Sequence, residues 1–204
     1  YLALFLMLVA LILRGVAFEF RSKLPSPAWR NLWDWMIFAG SLVPALLWGV
    51  AVTNLLQGVP IDSRMQYVGT FFDLLSPYTL VGGLAFLFIF VYHGAAYLTL
   101  KVEGELVERA RGAALTLGVL AAVFCIGLVA LTYFKTDLFS RMVAGALLYL
   151  AVASFVLSYL AMAKRQFGWA FIGSALAIVL TTVAVFTGLF PRLMVSSLNP
   201  EWSL

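Results

Sequence analysis

The residues able to do chemistry in this chain are few, and the ionisable ones gather where apolar runs end. Arg14 follows thirteen apolar residues, and Glu19 sits among Val16, Ala17, Phe18 and Phe20. A carboxylate in such company is partly desolvated, which suits it to taking up and passing protons. The plainer reading is a pair of interfacial charges whose heads snorkel to the aqueous boundary. The two residues are about 140° apart round an ideal helix, so they are not expected to pair directly. His93 is the only histidine. With no Cys, Met or carboxylate company it suits hydrogen-bonded packing better than a haem or metal ligand. Cys125 is the only cysteine and forms no internal disulfide. There is no phosphate-cradling glycine loop, no nucleophile beside a base and no zinc-ligand spacing. On this reading the chain has no catalytic, metal or cofactor-binding residues of its own.

The elements that position these residues must be membrane helices. Hydrophobic residues make up 64% of the chain and charged residues only 11%, against about 25% charged in an ordinary soluble domain. Too little polar sequence remains to make a wetted skin, so hydrocarbon must be the outer solvent. Five stretches exceed 20 residues without a formal charge: Trp35 to Ile61, Leu74 to Leu100, Gly112 to Phe134, Met142 to Ala163 and Gln166 to Pro191. Each is long enough to cross a bilayer. The shorter run from Tyr1 to Leu13 reads as the surviving end of another helix, without the basic flank of a signal peptide. The expected fold is an all-α integral membrane bundle of about six transmembrane helices in one domain, residues 1–204. The spans fall near 1–19, 35–57, 76–100, 112–134, 140–163 and 167–190. Ser76 and Pro77 supply a helix N-cap and first-turn proline, Pro191 closes the last span, and Pro44 should kink the second. Small residues four apart, such as Ala45/Gly49, Gly118/Ala122 and Ser154/Ser158, permit close helix contacts.

Basic residues orient the bundle. Counting connectors from the N-terminus, the odd ones hold nine Lys and Arg, and the even ones with the tail hold four. The positive-inside rule therefore places the odd connectors in the cytoplasm and Tyr1 outside. Trp29, Trp33 and Trp35 flank the first cytoplasmic connector, where indoles favour the interface. Glu105 and Arg109 are spaced for a helical pair. The net charge of +4 follows from these connectors and makes no case for nucleic acid. A transporter or channel is permitted by six spans and Pro44, but such proteins carry midplane charges or matched broken helices, and neither is evident.

Several segments, taken in order, resemble subunit II of the cytochrome bd quinol oxidases. They are Arg14 to Arg21 (Arg-Gly-Val-Ala-Phe-Glu-Phe-Arg), Arg30 to Trp35 (Arg-Asn-Leu-Trp-Asp-Trp) and Asn54 to Pro60 (Asn-Leu-Leu-Gln-Gly-Val-Pro). Gly94 to Leu98 leading into Lys101 to Leu106, then Gly168 to Phe171 and Phe190-Pro191, complete the series. The resemblance implies the non-haem subunit of a quinol:oxygen oxidoreductase in a prokaryotic plasma (inner) membrane. Such complexes belong to the respiratory chain, reduce oxygen to water and contribute to the proton gradient. It implies a partner, subunit I, that carries haem b, haem d and the quinol-oxidising loop, and it allows a small single-span subunit as well. Subunit II has two four-helix bundles and a peripheral helix, and it usually binds no haem. An acid at the position of Glu19 implies a part in proton delivery from the cytoplasm, helped by Arg14. A purely structural partner of the redox subunit differs from this only in carrying no protons.

The chain also departs from that family. A full subunit II has two helices before the first span found here and one after the last. Its N-terminal part contains an acidic Trp-Asp-Gly-Asn segment associated with proton supply, and nothing in this chain matches it. The expectation is that these residues form the middle of such a protein.

Overall fold

The computed structural model describes residues 1–203. Six helices dominate it: α1 (Leu2–Phe20), α2 (Pro27–Gln57), α3 (Pro77–Lys101), α4 (Glu105–Lys135), α5 (Met142–Ala163) and α6 (Phe167–Leu189). Each is long and apolar enough to cross a membrane; the shortest has 19 residues, about 28 Å at 1.5 Å per residue. Among the described residues, β-structure is limited to isolated bridges at Val59–Ser196 and Ile61–Tyr67.

Local chemistry explains most of the helix ends. Proline begins α2 and α3, where its missing N–H has no intrahelical partner to lose. The Ser76 hydroxyl also accepts from the Thr79 amide at 3.2 Å. Two helices outrun the apolar stretches at their cores. α4 begins at Glu105 because its charged first turns pair: Glu105 with Arg109 and Glu108 with Arg165, each at 2.8 Å. α2 begins at Pro27 because Trp29 and Trp33 pack against Phe20 and one another, covering the end of α1. α2 continues through Pro44, which cannot donate to the Gly40 carbonyl. Gly104 adopts φ +65°, a conformation L side chains rarely take, and so allows the three-residue turn between α3 and α4.

Helices α3, α4, α5 and α6 form a four-helix bundle around Tyr92, Ala96, Ala121, Phe155, Met162 and Ala177. Small side chains dominate this core, as expected where dispersion and close approach must hold helices that lipid would solvate equally well. Polar side chains add cross-links. The Ser158 hydroxyl donates to the Ala170 carbonyl, which leaves it to accept from the Tyr92 hydroxyl at 3.0 Å. Ser154 likewise donates to the Gly173 carbonyl at 2.9 Å. Outer faces remain apolar and open: Ile126, Leu157 and Phe186 are each more than 60% exposed.

The hairpin of α1 and α2 joins this bundle through α2. A Cβ added at Gly49 would lie 2.7 Å from the Gly82 carbonyl oxygen and 2.8 Å from the Gly83 Cα. On the α1 side, a Cβ at Gly40 would lie 2.6 Å from the Ala10 carbonyl oxygen. The backbone therefore touches backbone on both sides of α2.

At the end opposite the strongly basic connectors, the C-terminal segment folds across the α2–α3 connector. Val59 donates to the Val195 carbonyl and accepts from the Ser197 amide, both at 3.0 Å, and the Ser196 hydroxyl reaches Ile61. The Thr70 amide and hydroxyl donate to Asp73 and hold its carboxyl below the usual carboxylate range.

Two outcomes follow. Gly49→Ala should destabilise the full chain in mild detergent by about 1–3 kcal/mol, because the clash is with backbone. Gly94→Ala, with open space around the new methyl, should be neutral or stabilising by up to about 1 kcal/mol; thermal unfolding followed by circular dichroism compares them. For orientation, with Cys125 replaced, cysteine at Ser63 should react with an impermeant thiol reagent added outside cells, and cysteine at Glu105 should not. The reverse pattern would contradict the basic-residue count.

Candidate functional site

The sequence points to the basic end of α1, and the structure builds a cluster of charges and indoles there. Glu19, in the last turn of α1, pairs at 2.7 Å with Lys23 in the turn that follows, with side chains 70% and 57% exposed. The expected desolvation does not occur, because Val16, Phe18 and Phe20 are themselves exposed and do not cover the carboxylate. Arg21, the first residue after α1, makes a two-pronged contact with Asp34 on α2: Nε to Oδ1 at 2.5 Å and Nη2 to Oδ2 at 3.2 Å. The planar guanidinium matches the carboxylate fork, so this contact clasps the α1–α2 turn at the surface. Trp29 Nε1 donates to the Phe20 carbonyl at 2.8 Å, satisfying one of the acceptors left open at the end of α1.

Arg14 and Glu19 are not brought together. The Arg14 guanidinium lies over the Phe18 ring, 5.8 Å from its centroid, so it reaches toward the helix's basic end. It makes no ion pair among the described residues. Instead it stands at the rim of a groove of about 650 Å³ floored by α2 and walled by α1 and α3.

His93 is held between α3 and α6. The Ser174 hydroxyl donates to the Phe171 carbonyl at 2.8 Å, so it accepts from His93 Nδ1, also at 2.8 Å. That assigns the proton to Nδ1 and leaves Nε2 as an acceptor. The ring stacks on Phe171 at 4.7 Å. These contacts agree with the hydrogen-bonded packing role expected of it.

Some features were missed in the sequence. Arg21 and Asp34 are 13 residues apart, and no helical periodicity links residues on either side of a turn. Asp34 lies within the Arg30 to Trp35 segment, but nothing in its spacing names a partner. Asn54 and Gln57, in the Asn54 to Pro60 segment, tie the far end of α2 to the start of α3. Asn54 donates to the Leu74 carbonyl at 2.9 Å, and Gln57 accepts from Ser76 at 2.8 Å.

Comparison with known proteins decides the family. Residues 1–202 match the family described as cytochrome bd terminal oxidase subunit II. The chain belongs to that family. It is 36% identical over 206 residues to the cytochrome bd ubiquinol oxidase subunit 2 of Bacillus subtilis (strain 168), an alignment covering 100% of this chain and 61% of that protein. It is 46% identical over 118 residues to the cytochrome bd-I ubiquinol oxidase subunit 2 of Escherichia coli (strain K12), covering 56% of this chain and 31% of the relative. The structure of the bd oxidase from Geobacillus thermodenitrificans shares the fold, with a TM-score of 0.75 at 17% identity, covering 98% of this chain and 62% of that one. The chain thus spans about three fifths of the length of the Bacillus relative. Six apolar helices and the family together make it a multi-pass inner-membrane protein, and the family match sets aside the transporter or channel reading.

The Arg21–Asp34 contact generates a direct test. Asp34→Asn should loosen the α1–α2 turn and raise the rate of tryptic cleavage after Arg21 and Lys23 several-fold. Glu105→Gln, at a distant connector, should leave that rate unchanged. Equal rates in both variants would show that the indole packing alone holds the turn.

Proposed function

We propose that this chain acts as the non-haem subunit II of a bd-type terminal oxidase that takes electrons from a membrane quinol and reduces oxygen to water. The observation that carries the proposal is the family match across residues 1–202, supported by a Bacillus relative aligned with the whole chain and named as a ubiquinol oxidase subunit. Haem b and haem d would belong to a larger partner, subunit I. In this reading the present chain presents its open apolar faces to subunit I and to lipid and holds no catalytic centre.

Glu19 is proposed as a proton-uptake residue for that partner. Oxygen reduction consumes protons at a buried site, so titratable groups must begin a path at the cytoplasmic surface. Glu19 is exposed at the basic end of α1, beside Lys23. The ammonium offers a second hydrogen-bonding site for water arriving at the carboxylate. Arg14 faces the groove rather than Glu19, so it joins the proposal only through the field of its charge.

Two experiments test the reading. A complex isolated through an affinity tag on this chain should show quinol-dependent oxygen uptake; a preparation without it would contradict the oxidase assignment. In that complex Glu19→Gln should slow turnover on the order of tenfold with haem absorbance unchanged, and Glu19→Asp should do less harm. Full turnover in Glu19→Gln across the working pH range would leave Glu19 as an interfacial charge only.

A further inference from the structure

The axis of the α3–α6 bundle is not filled by side chains along its whole length. Helix α3 packs closely on α4, and α5 on α6, while α4 meets α5 only sparingly. Between these two pairs lies a cavity of about 100 Å³. Its walls come from all four helices: Ala85 and Phe86, Cys125, Ala151 and Phe155, and Ala177. Ala85, Ala151, Phe155 and Ala177 are buried within this chain itself, so the walls need nothing from outside it. A smaller hollow of about 40 Å³ shares Phe86, Leu148 and Thr181 with the first and extends it toward the end opposite the basic connectors.

Voids of this size are rare in a close-packed interior. This one arises because an alanine stands on each wall, at Ala85, Ala122, Ala151 and Ala177, and a methyl group cannot reach the bundle axis. The lining then decides what the space can hold. Apart from Cys125 and Thr181, every lining side chain is hydrocarbon. The Thr181 hydroxyl donates to the Ala177 carbonyl at 2.8 Å, so its proton is committed within its own helix. The Cys125 thiol is only a weak donor. A buried water needs about two to four polar partners, and this lining does not supply them. Such a space stays dry and takes apolar guests.

Size narrows the guest further. An apolar cavity of about 150 Å³ in another protein accepts benzene or xenon. The present volume, about 100 Å³, is short of an aromatic ring and sufficient for one xenon atom or one diatomic molecule. A lipid tail or a quinone would leave most of its bulk outside. Access is lateral, between α4 and α5. Ile126 on α4 and Val156 on α5 line the cavity and are 66% and 50% exposed. Side chains at an exposed face change rotamer in picoseconds to nanoseconds, which is enough to admit a gas.

We infer that the cavity inside the α3–α6 bundle is a binding site for one small apolar gas molecule, of the size of xenon or dioxygen, entered between α4 and α5. The inference needs only the bundle and does not rest on the oxidase reading. Within that reading the gas is dioxygen, held in the haem-free subunit.

The test uses xenon as the probe, on the full chain crystallised with whatever it assembles with and pressurised with the gas. Anomalous scattering should place one xenon per chain against Ala85, Cys125, Ala151 and Phe155. Ala151→Leu, which fills the cavity from a buried wall, should lose that xenon without lowering the melting temperature. Leu148→Ala, which enlarges the cavity and joins it to the smaller hollow, should take up a second xenon or a benzene molecule. This second variant keeps the test decisive if Ala151→Leu fails to assemble. Leu157→Ala, on an exposed face, should change nothing. No xenon in the cavity, undiminished xenon in Ala151→Leu, or a side chain or lipid tail of the assembled complex occupying the space would overturn the inference.

Discussion

The rest of this structure depends on the contact of α2 with its neighbours through glycine. At Gly49 the α2 backbone lies against Gly82 and Gly83, and at Gly40 it lies against Ala10. In lipid there is little hydrophobic gain from burying one apolar helix against another, so helices associate where backbones come close enough for dense dispersion contacts. These glycines therefore decide which helix touches which. They anchor the α1–α2 hairpin to the α3–α6 bundle, with Asn54 and Gln57 adding ties at the far end of α2, and the basic end of α1 takes its position from α2.

Much else follows geometrically. Once α1 is fixed along α2, Arg21 falls beside Asp34 and the indoles of Trp29 and Trp33 fall over Phe20. Glu19 is carried to the surface with Lys23 while Arg14 turns to the other side, toward the space between α1 and α3. One helix thus presents an exposed acid on one side and a deep cation on another.

The sequence was most legible where a single residue type acts locally. Charge-free runs marked the helices, Ser76 and Pro77 marked the start of α3, and Glu105 with Arg109 marked the exposed first turn of α4. Each depends on neighbours within about one turn. The Tyr92–Ser158 hydrogen bond spans 66 residues, and the Arg21–Asp34 contact crosses a turn between helices. Such pairs exist only after the helices pack, and no spacing rule names them. The groove was equally hidden, because a concavity arises from three helices that each read as uniformly apolar. Gly49 is a small residue four from Ala45, but that pattern does not say that Gly82 and Gly83 face it.

The central claim is that this chain is the haem-free member of a haem-bearing oxidase. A reduced-minus-oxidised optical spectrum of the complex isolated through this chain tests it most directly, followed by separation of the subunits in mild denaturant and haem analysis of each. The account predicts haem b and haem d bands in the complex, with all haem travelling with a larger partner. A colourless preparation, or haem that stays with this chain at one per copy and is lost in His93→Ala, would contradict it.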